Sequence, residues 1–82
     1  MKVEILTPEK RIFEGDVDVL TVPTATGYIS VMSDHTPLVL AVGAGKITVK
    51  TKNGEKAFEN EKGVLQTINN RTVLLLRKCR EK

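Results

Sequence analysis

The sequence predicts one all-β domain, a sandwich or flattened barrel of about eight short strands, and three observations predict it. No window repeats its apolar residues at the 3.6-residue spacing of a helix. Lys46–Lys52 alternates strictly, with Ile47, Val49 and Thr51 on one face and Lys46, Thr48, Lys50 and Lys52 on the other. Turn signals recur at short intervals, among them Gly43, Gly45, Asn53-Gly54 and Asn69-Asn70.

Val3 and Ile5 open a first strand that stops near Thr7-Pro8, because proline has no amide to continue a ladder and pushes Thr7 toward extended geometry. A second strand begins near Arg11-Ile12-Phe13. In Asp16–Val22 the apolar residues Val17 and Val19 share one parity, whereas Leu20 and Val22 share the other. The inward face therefore changes over between Val19 and Leu20, as at a β-bulge or a crossing between two sheets. Gly27 starts a strand over Tyr28–Met32, and Ser33-Asp34-His35-Thr36-Pro37 breaks it. Leu38–Val42 is wholly apolar and suits a sandwich interior, ending at Gly43 and Gly45. Asn53-Gly54 suits the positive φ angles of a type I′ turn, so Lys46–Lys52 pairs with Glu55–Asn60. Gly63–Ile68 and Arg71–Lys78 form a last hairpin around Asn69-Asn70, by the same backbone logic.

A chain of 82 residues has one core, since at this size only roughly 60–65% of the unfolded surface is buried. Residues 1–82 are read as that single domain. Apolar residues at 40% and charged residues at 28% lie far from the composition of disordered chains. The net charge of +3 comes from 13 basic and 10 acidic residues spread along the chain, which gives no continuous stripe for tracking phosphates. One cysteine, Cys79, forms no internal disulfide and favours a reducing compartment. The longest apolar run, Pro37–Val42, is far short of the ~20 residues of a membrane span, and Glu4 sits where a signal peptide carries no acid.

Candidate chemistry is sparse. His35, the only histidine, follows Ser33 and Asp34 on one loop, but a catalytic triad needs groups brought together from different elements, and no Gly-x-Ser-x-Gly elbow is present. His35 and Cys79 lie too far apart in sequence to be clustered zinc ligands. Gly43-Ala44-Gly45-Lys46 resembles the end of a phosphate loop, yet Ile47 replaces the required Ser or Thr and no helix follows; it reads as a turn. Phe13 and Phe58 read as core. Tyr28, at the start of a strand, reads as an edge residue suited to an interface. The tail Arg77–Lys82 reads as a solvated charge run. No catalytic residue, cofactor or metal is assigned.

The sequence goes further as an ordered set of motifs. Val3-Glu4-Ile5-Leu6-Thr7-Pro8-Glu9-Lys10, Phe13-Glu14-Gly15-Asp16-Val17, and Gly27 followed by His35-Thr36-Pro37-Leu38 occur in order and spacing, then Gly45-Lys46-Ile47 and Gly63-Val64-Leu65. Over essentially the whole chain this resembles the N-terminal β-sandwich domain of the F-type ATP synthase epsilon subunit. The resemblance implies a flattened sandwich of ten strands, the two additional ones arising by splitting Phe13–Val22 and Leu38–Val42. It also implies a non-catalytic central-stalk subunit, a monomer within its complex, at the cytoplasmic face of the bacterial inner membrane. Its partners would be the gamma shaft and the c-subunit ring, with no nucleic acid.

Carried over by position, the resemblance puts Thr7, His35 and Leu40 toward gamma, and Gly27 and Tyr28 toward the ring. Members of the family often have glutamate after that glycine; Tyr28 would replace charge pairing with packing and one hydroxyl. Relatives continue into a helical hairpin, whereas only Arg80-Glu81-Lys82 follow the last expected strand, so neither a nucleotide site nor an inhibitory arm is expected. A free-standing module for nucleic acid or another polyanion, using Lys46, Lys50 and Lys52, is the competing reading. A small hydrolase finds no nucleophile and base to support it.

Overall fold

A computed structural model describes residues 1–34 and 36–81, Glu81 by its backbone alone. Ten strands run in order: β1 (Lys2–Leu6), β2 (Arg11–Asp16), β3 (Val19–Thr24), β4 (Gly27–Met32), β5 (Leu38–Val42), β6 (Gly45–Thr51), β7 (Gly54–Asn60), β8 (Gly63–Ile68), β9 (Arg71–Leu76) and β10 (Cys79–Glu81). They make two five-stranded sheets, ordered β2-β1-β9-β8-β5 and β10-β7-β6-β3-β4. The fold is the expected all-β sandwich of ten strands.

The core lies between the sheets. Val3, Ile5, Val42, Leu65, Leu74 and Leu76 come from the first sheet, and Leu20, Val22, Val31, Ile47, Val49 and Phe58 from the second; all are buried. Burial of each such side chain is worth roughly 1.5–3 kcal/mol, which is what holds two layers without disulfides together. The Phe13 ring meets Phe58 edge-on, with centroids 6.0 Å apart. The alternation seen in the sequence is realised in β6, where Ile47 and Val49 are buried and Lys46 and Lys50 exposed.

Strand β1 ends where expected, since the Thr7 amide donates to the Lys10 carbonyl at 2.9 Å and turns the chain. Phe13–Val22 divides as expected into β2 and β3, which belong to different sheets. The crossing falls at Val17-Asp18, slightly earlier than parity indicated. There the Val17 amide donates to the Met1 carbonyl and the Asp18 amide to the Lys50 carbonyl, both at 2.8 Å. The Asn69-Asn70 turn has φ of 52° and 61°, the two positive values that a type I′ turn needs.

Four expectations are corrected. Leu38–Val42 is neither interior nor split: β5 is a single edge strand, with Val39 67% exposed. Composition could not distinguish a strand covered on both faces from one whose outward side chains happen to be apolar. The tenth strand comes instead from the charged tail, where Cys79, Arg80 and Glu81 pair with Asn60, Glu59 and Phe58. The last hairpin accordingly ends at Leu76 rather than Lys78. The β6–β7 turn uses Lys52-Asn53, with Thr51 opposite Gly54; Gly54 alone there has positive φ, 132°, so the turn is not type I′.

Candidate interaction surface

The outer faces of the two sheets differ sharply. On the first, register aligns Leu6, Leu75, Val64 and Ala41 in one row across β1, β9, β8 and β5. A second row runs Glu4, Val73, Gln66 and Val39, and a third Lys2, Arg71 and Ile68. Leu75, Val64 and Ile68 are each about half exposed. The result is a largely apolar surface over β9, β8 and β5, interrupted by the exposed Gln66 and, beside Ile68, by Arg71.

This surface has a charged border on β1 and β2. Arg11 reaches both Glu4, at 3.7 Å, and Glu14, at 3.3 Å, while Lys2 lies 3.7 Å from Glu14. The outer face of the second sheet is polar instead. Thr21 and Ser30 share a 3.0 Å hydroxyl contact, and Lys46 and Lys50 stand opposite Glu59 and Glu55. Large exposed apolar patches on soluble proteins mark contact surfaces, and among the described residues the first sheet presents one across several strands.

The residues expected from the sequence are placed as follows. Thr7 is half-buried and closes the β1–β2 turn, its hydroxyl donating to the Lys10 carbonyl at 3.1 Å and accepting from the Lys10 amide at 3.3 Å. Leu40 is half-buried and packs inward against the core, so β5 shows Val39 and Ala41 outward. His35 lies outside the described residues. Beside it, Asp34 has φ of 64° and donates its amide to Asn70 Oδ1 at 3.0 Å, which ties that loop to the β8–β9 turn.

Gly27 and Tyr28 begin β4 at the opposite end of the sandwich, the end that also holds Thr7. Gly27 has φ of 130°, and its carbonyl accepts from the Thr24 hydroxyl at 2.6 Å, which fixes the β3–β4 hairpin. Tyr28 pairs with Pro23 and is 61% exposed. Gly45, with φ of 145°, leaves room for it: a Cβ there would lie 3.2 Å from Pro23 Cγ and 3.3 Å from the Tyr28 hydroxyl. Gly45, which begins β6, thus leaves space for the Tyr28 hydroxyl, while Gly43 lies against the Thr24 backbone.

Leu6, Val39, Val64, Ile68 and Leu75 were not singled out from the sequence. The signal available was parity within Leu74-Leu75-Leu76, where only the middle residue faces outward. An open groove of about 480 Å³ separates the β2 and β10 edges, lined by Lys10, Ile12, Asn60, Cys79 and Arg80 among others. Its charges are mixed, with Glu9, Glu59 and Glu61 facing the cations. Among the described residues no group of three or more His, Cys, Asp or Glu is disposed to hold a metal ion. Among the same described residues no helix is long and apolar enough to cross a membrane.

The family model for the ATP synthase delta/epsilon chain β-sandwich domain matches residues 1–81. The chain is 36% identical over 75 residues to the ATP synthase epsilon chain of Bartonella quintana, covering 92% of this chain and 54% of that one. It is 32% identical over 74 residues to the sodium ion specific epsilon chain of Propionigenium modestum, covering 90% and 54%. The epsilon chain of Chlorobium limicola is matched at 32% identity over 85% of its own length. The chain thus spans about half the length of the first two relatives. A chain in the Euglena gracilis mitochondrial ATP synthase, solved as OSCP/F1/c-ring, superposes with a TM-score of 0.90 at 15% identity, covering 96% of this chain and 51% of that one. A chain in the central stalk and c-ring of the Tetrahymena thermophila enzyme gives 0.82 at 16%, covering 96% and 64%. At those identities the likeness is one of fold. The match over residues 1–81, together with relatives above 30% identity, shows that the chain belongs to the ATP synthase delta/epsilon chain β-sandwich family.

Proposed function

We propose that this domain is a non-catalytic element of the central stalk of a rotary ATP synthase, joining the gamma shaft to the c-subunit ring so that rotation driven by ion flow passes between them. The observation that carries this reading is the apolar outer face of the first sheet, bounded by the Arg11 ion pairs, in a family of epsilon chains. A rigid sandwich with one apolar and one polar face suits a part that is held from one side. Gamma would cover β9, β8 and β5, the region that includes Leu40 and adjoins the His35 loop. The ring would meet the end carrying Gly27 and Tyr28, whereas Thr7 would lie toward gamma. On this reading the domain sits at the cytoplasmic face of the bacterial inner membrane, held there only by the complex.

The competing polyanion module is disfavoured by Lys46 and Lys50, each of which stands across from a glutamate rather than within a basic stripe. Capture of the isolated domain by purified gamma and by detergent-solubilised c-ring tests the proposal. Binding to gamma that survives moderate salt, without binding to oligonucleotides, is the expected result. Steeply salt-dependent oligonucleotide binding with no capture of either subunit would overturn it.

A further inference from the structure

The groove between the β2 and β10 edges gathers features that neither sheet face explains. At about 480 Å³ it lies within the ~300–1,000 Å³ of small-molecule sites. Asn60, only 7% exposed, lines it. The Asn60 Nδ2 donates to the Gly45 carbonyl at 3.1 Å, and Gly45 does not line the groove, so the amide is held from the β6 side. Its Oδ1 is buried without a hydrogen-bond partner, which leaves an acceptor for a donor entering from the groove. Cys79, the only cysteine, stands opposite Asn60 in the β7–β10 register and is partly exposed. It lines this groove and also a hollow of about 230 Å³ that shares Lys10, Ile12 and Arg80 with it.

The charges around the sulfur are of both signs. Lys10, Arg77 and Arg80 form no ion pair among the described residues, whereas Lys78 lies 3.9 Å from Glu61. Glu9 and Glu59 line the same groove. Such a lining matches a ligand that carries carboxylates, an ammonium and a peptide N–H, and the sulfur can bond to that ligand's thiol. We propose that Cys79 forms a reversible mixed disulfide with a small zwitterionic thiol peptide, whose carboxylates meet Lys10 and Arg80 and whose amide N–H donates to Asn60 Oδ1. Cations near a thiol favour the thiolate, which is the attacking species. The Cys79 thiolate attacks one sulfur of the peptide's own disulfide, and the new S–S bond forms as the old one breaks. The electron pair leaves on the second peptide's sulfur, which takes up the proton that Cys79 released. Cys79 is oxidised and half of the disulfide is reduced, so no other oxidant is needed. Excess free thiol reverses the step, and the adduct therefore follows the redox state of the compartment.

Intact-mass kinetics of the 82-residue chain with glutathione disulfide test this. Hydroxyethyl disulfide serves as an uncharged reference, and the urea-unfolded chain reports the intrinsic chemistry of the thiol. The expected result is one glutathionyl adduct, reversed by excess glutathione and absent in Cys79→Ser. The rate preference for glutathione disulfide over the reference should be about tenfold or more higher in the folded chain than in the unfolded one, the worth of one charge-assisted contact. Lys10→Glu with Arg80→Glu, both at exposed positions, should remove that preference, and Asn60→Ala should lower it, with circular dichroism checking the fold of each. A folded chain that gains no adduct overturns the inference. Equal preference in the folded and unfolded chains also overturns it, because it shows an exposed thiol without a site. A preference left unchanged by either folded variant does the same.

Discussion

The Thr72 hydroxyl donates a 2.9 Å hydrogen bond to the Thr67 hydroxyl across β9 and β8, with both side chains buried beside Leu65 and Leu74. A polar pair in an apolar layer is tolerated because the hydroxyls bond one another, with Met1 Sδ also 3.2 Å from the Thr72 hydroxyl, and removing one partner is costlier than removing both. Thr72→Val leaves the Thr67 oxygen buried without its donor and should cost about 1–3 kcal/mol. The double variant Thr67→Val with Thr72→Val should come within about 1 kcal/mol of the starting protein. Urea unfolding of the three variants checks this, and additive losses would contradict it.

Gly63 and Gly54 are required for different reasons. A Cβ on Gly63 would lie 2.3 Å from the Leu75 carbonyl oxygen and 2.5 Å from Leu76 Cδ2, so β8 would have to leave β9. A Cβ on Gly54 meets nothing within 4 Å, but its φ of 132° is one that L side chains rarely adopt. Gly63→Ala should therefore destabilise by more than about 3 kcal/mol, through overpacking against backbone. Gly54→Ala should cost about 1–3 kcal/mol, through backbone strain alone. Chemical denaturation gives both values, and the order of the two is the discriminating result.

What the sequence made legible follows from the range of its information. The alternation in Lys46–Thr51 is local, and β6 has the predicted faces. The change of parity between Val19 and Leu20 is also local, and the crossing between sheets lies just before it, at Val17-Asp18. By contrast, β1 pairs in parallel with β9, a contact between the two ends of the chain that no local pattern encodes. Leu38–Val42 looked interior because composition registers apolarity, whereas position at an edge depends on which strands pair. β10 is a strand because β7 supplies its partner; its residues alone read as a solvated tail. The apolar face was hidden for the same reason, since Leu6, Leu75, Val64 and Ala41 become neighbours only through register. Gly27 was legible as a strand start because its φ of 130° gives a glycine there a backbone reason.

The ion pairs of Arg11 should contribute little to stability. Arg11 is more than half exposed and its contacts to Glu4 and Glu14 run from 3.3 to 3.7 Å, so solvent screens them and the long side chain loses freedom. Arg11→Ala should shift the unfolding free energy by under about 1 kcal/mol. Thermal melts at low and high salt check this, with little difference expected between the two proteins at high salt.

Tyr28 and Leu75 separate the two proposed contacts, because they lie on different sheets and neither supports the core. Tyr28 is 61% exposed and Leu75 53%, so Tyr28→Ala and Leu75→Lys should both leave the fold intact. An anchoring side chain at the centre of an interface is typically worth about 1–3 kcal/mol, or roughly 5- to 150-fold in affinity. Leu75→Lys should lower gamma capture by a factor in that range, by placing an ammonium where apolar surface is buried, and should leave ring capture unchanged. Tyr28→Ala should do the reverse, since Tyr28 pairs with Pro23 on the second sheet, with its hydroxyl near Gly45, away from β9. Tyr28→Phe then isolates the hydroxyl: full ring capture assigns the contact to the ring face, and partial loss assigns a share to the hydrogen bond. Equal losses of both partners in Tyr28→Ala would show that the end and the face do not act as separate surfaces.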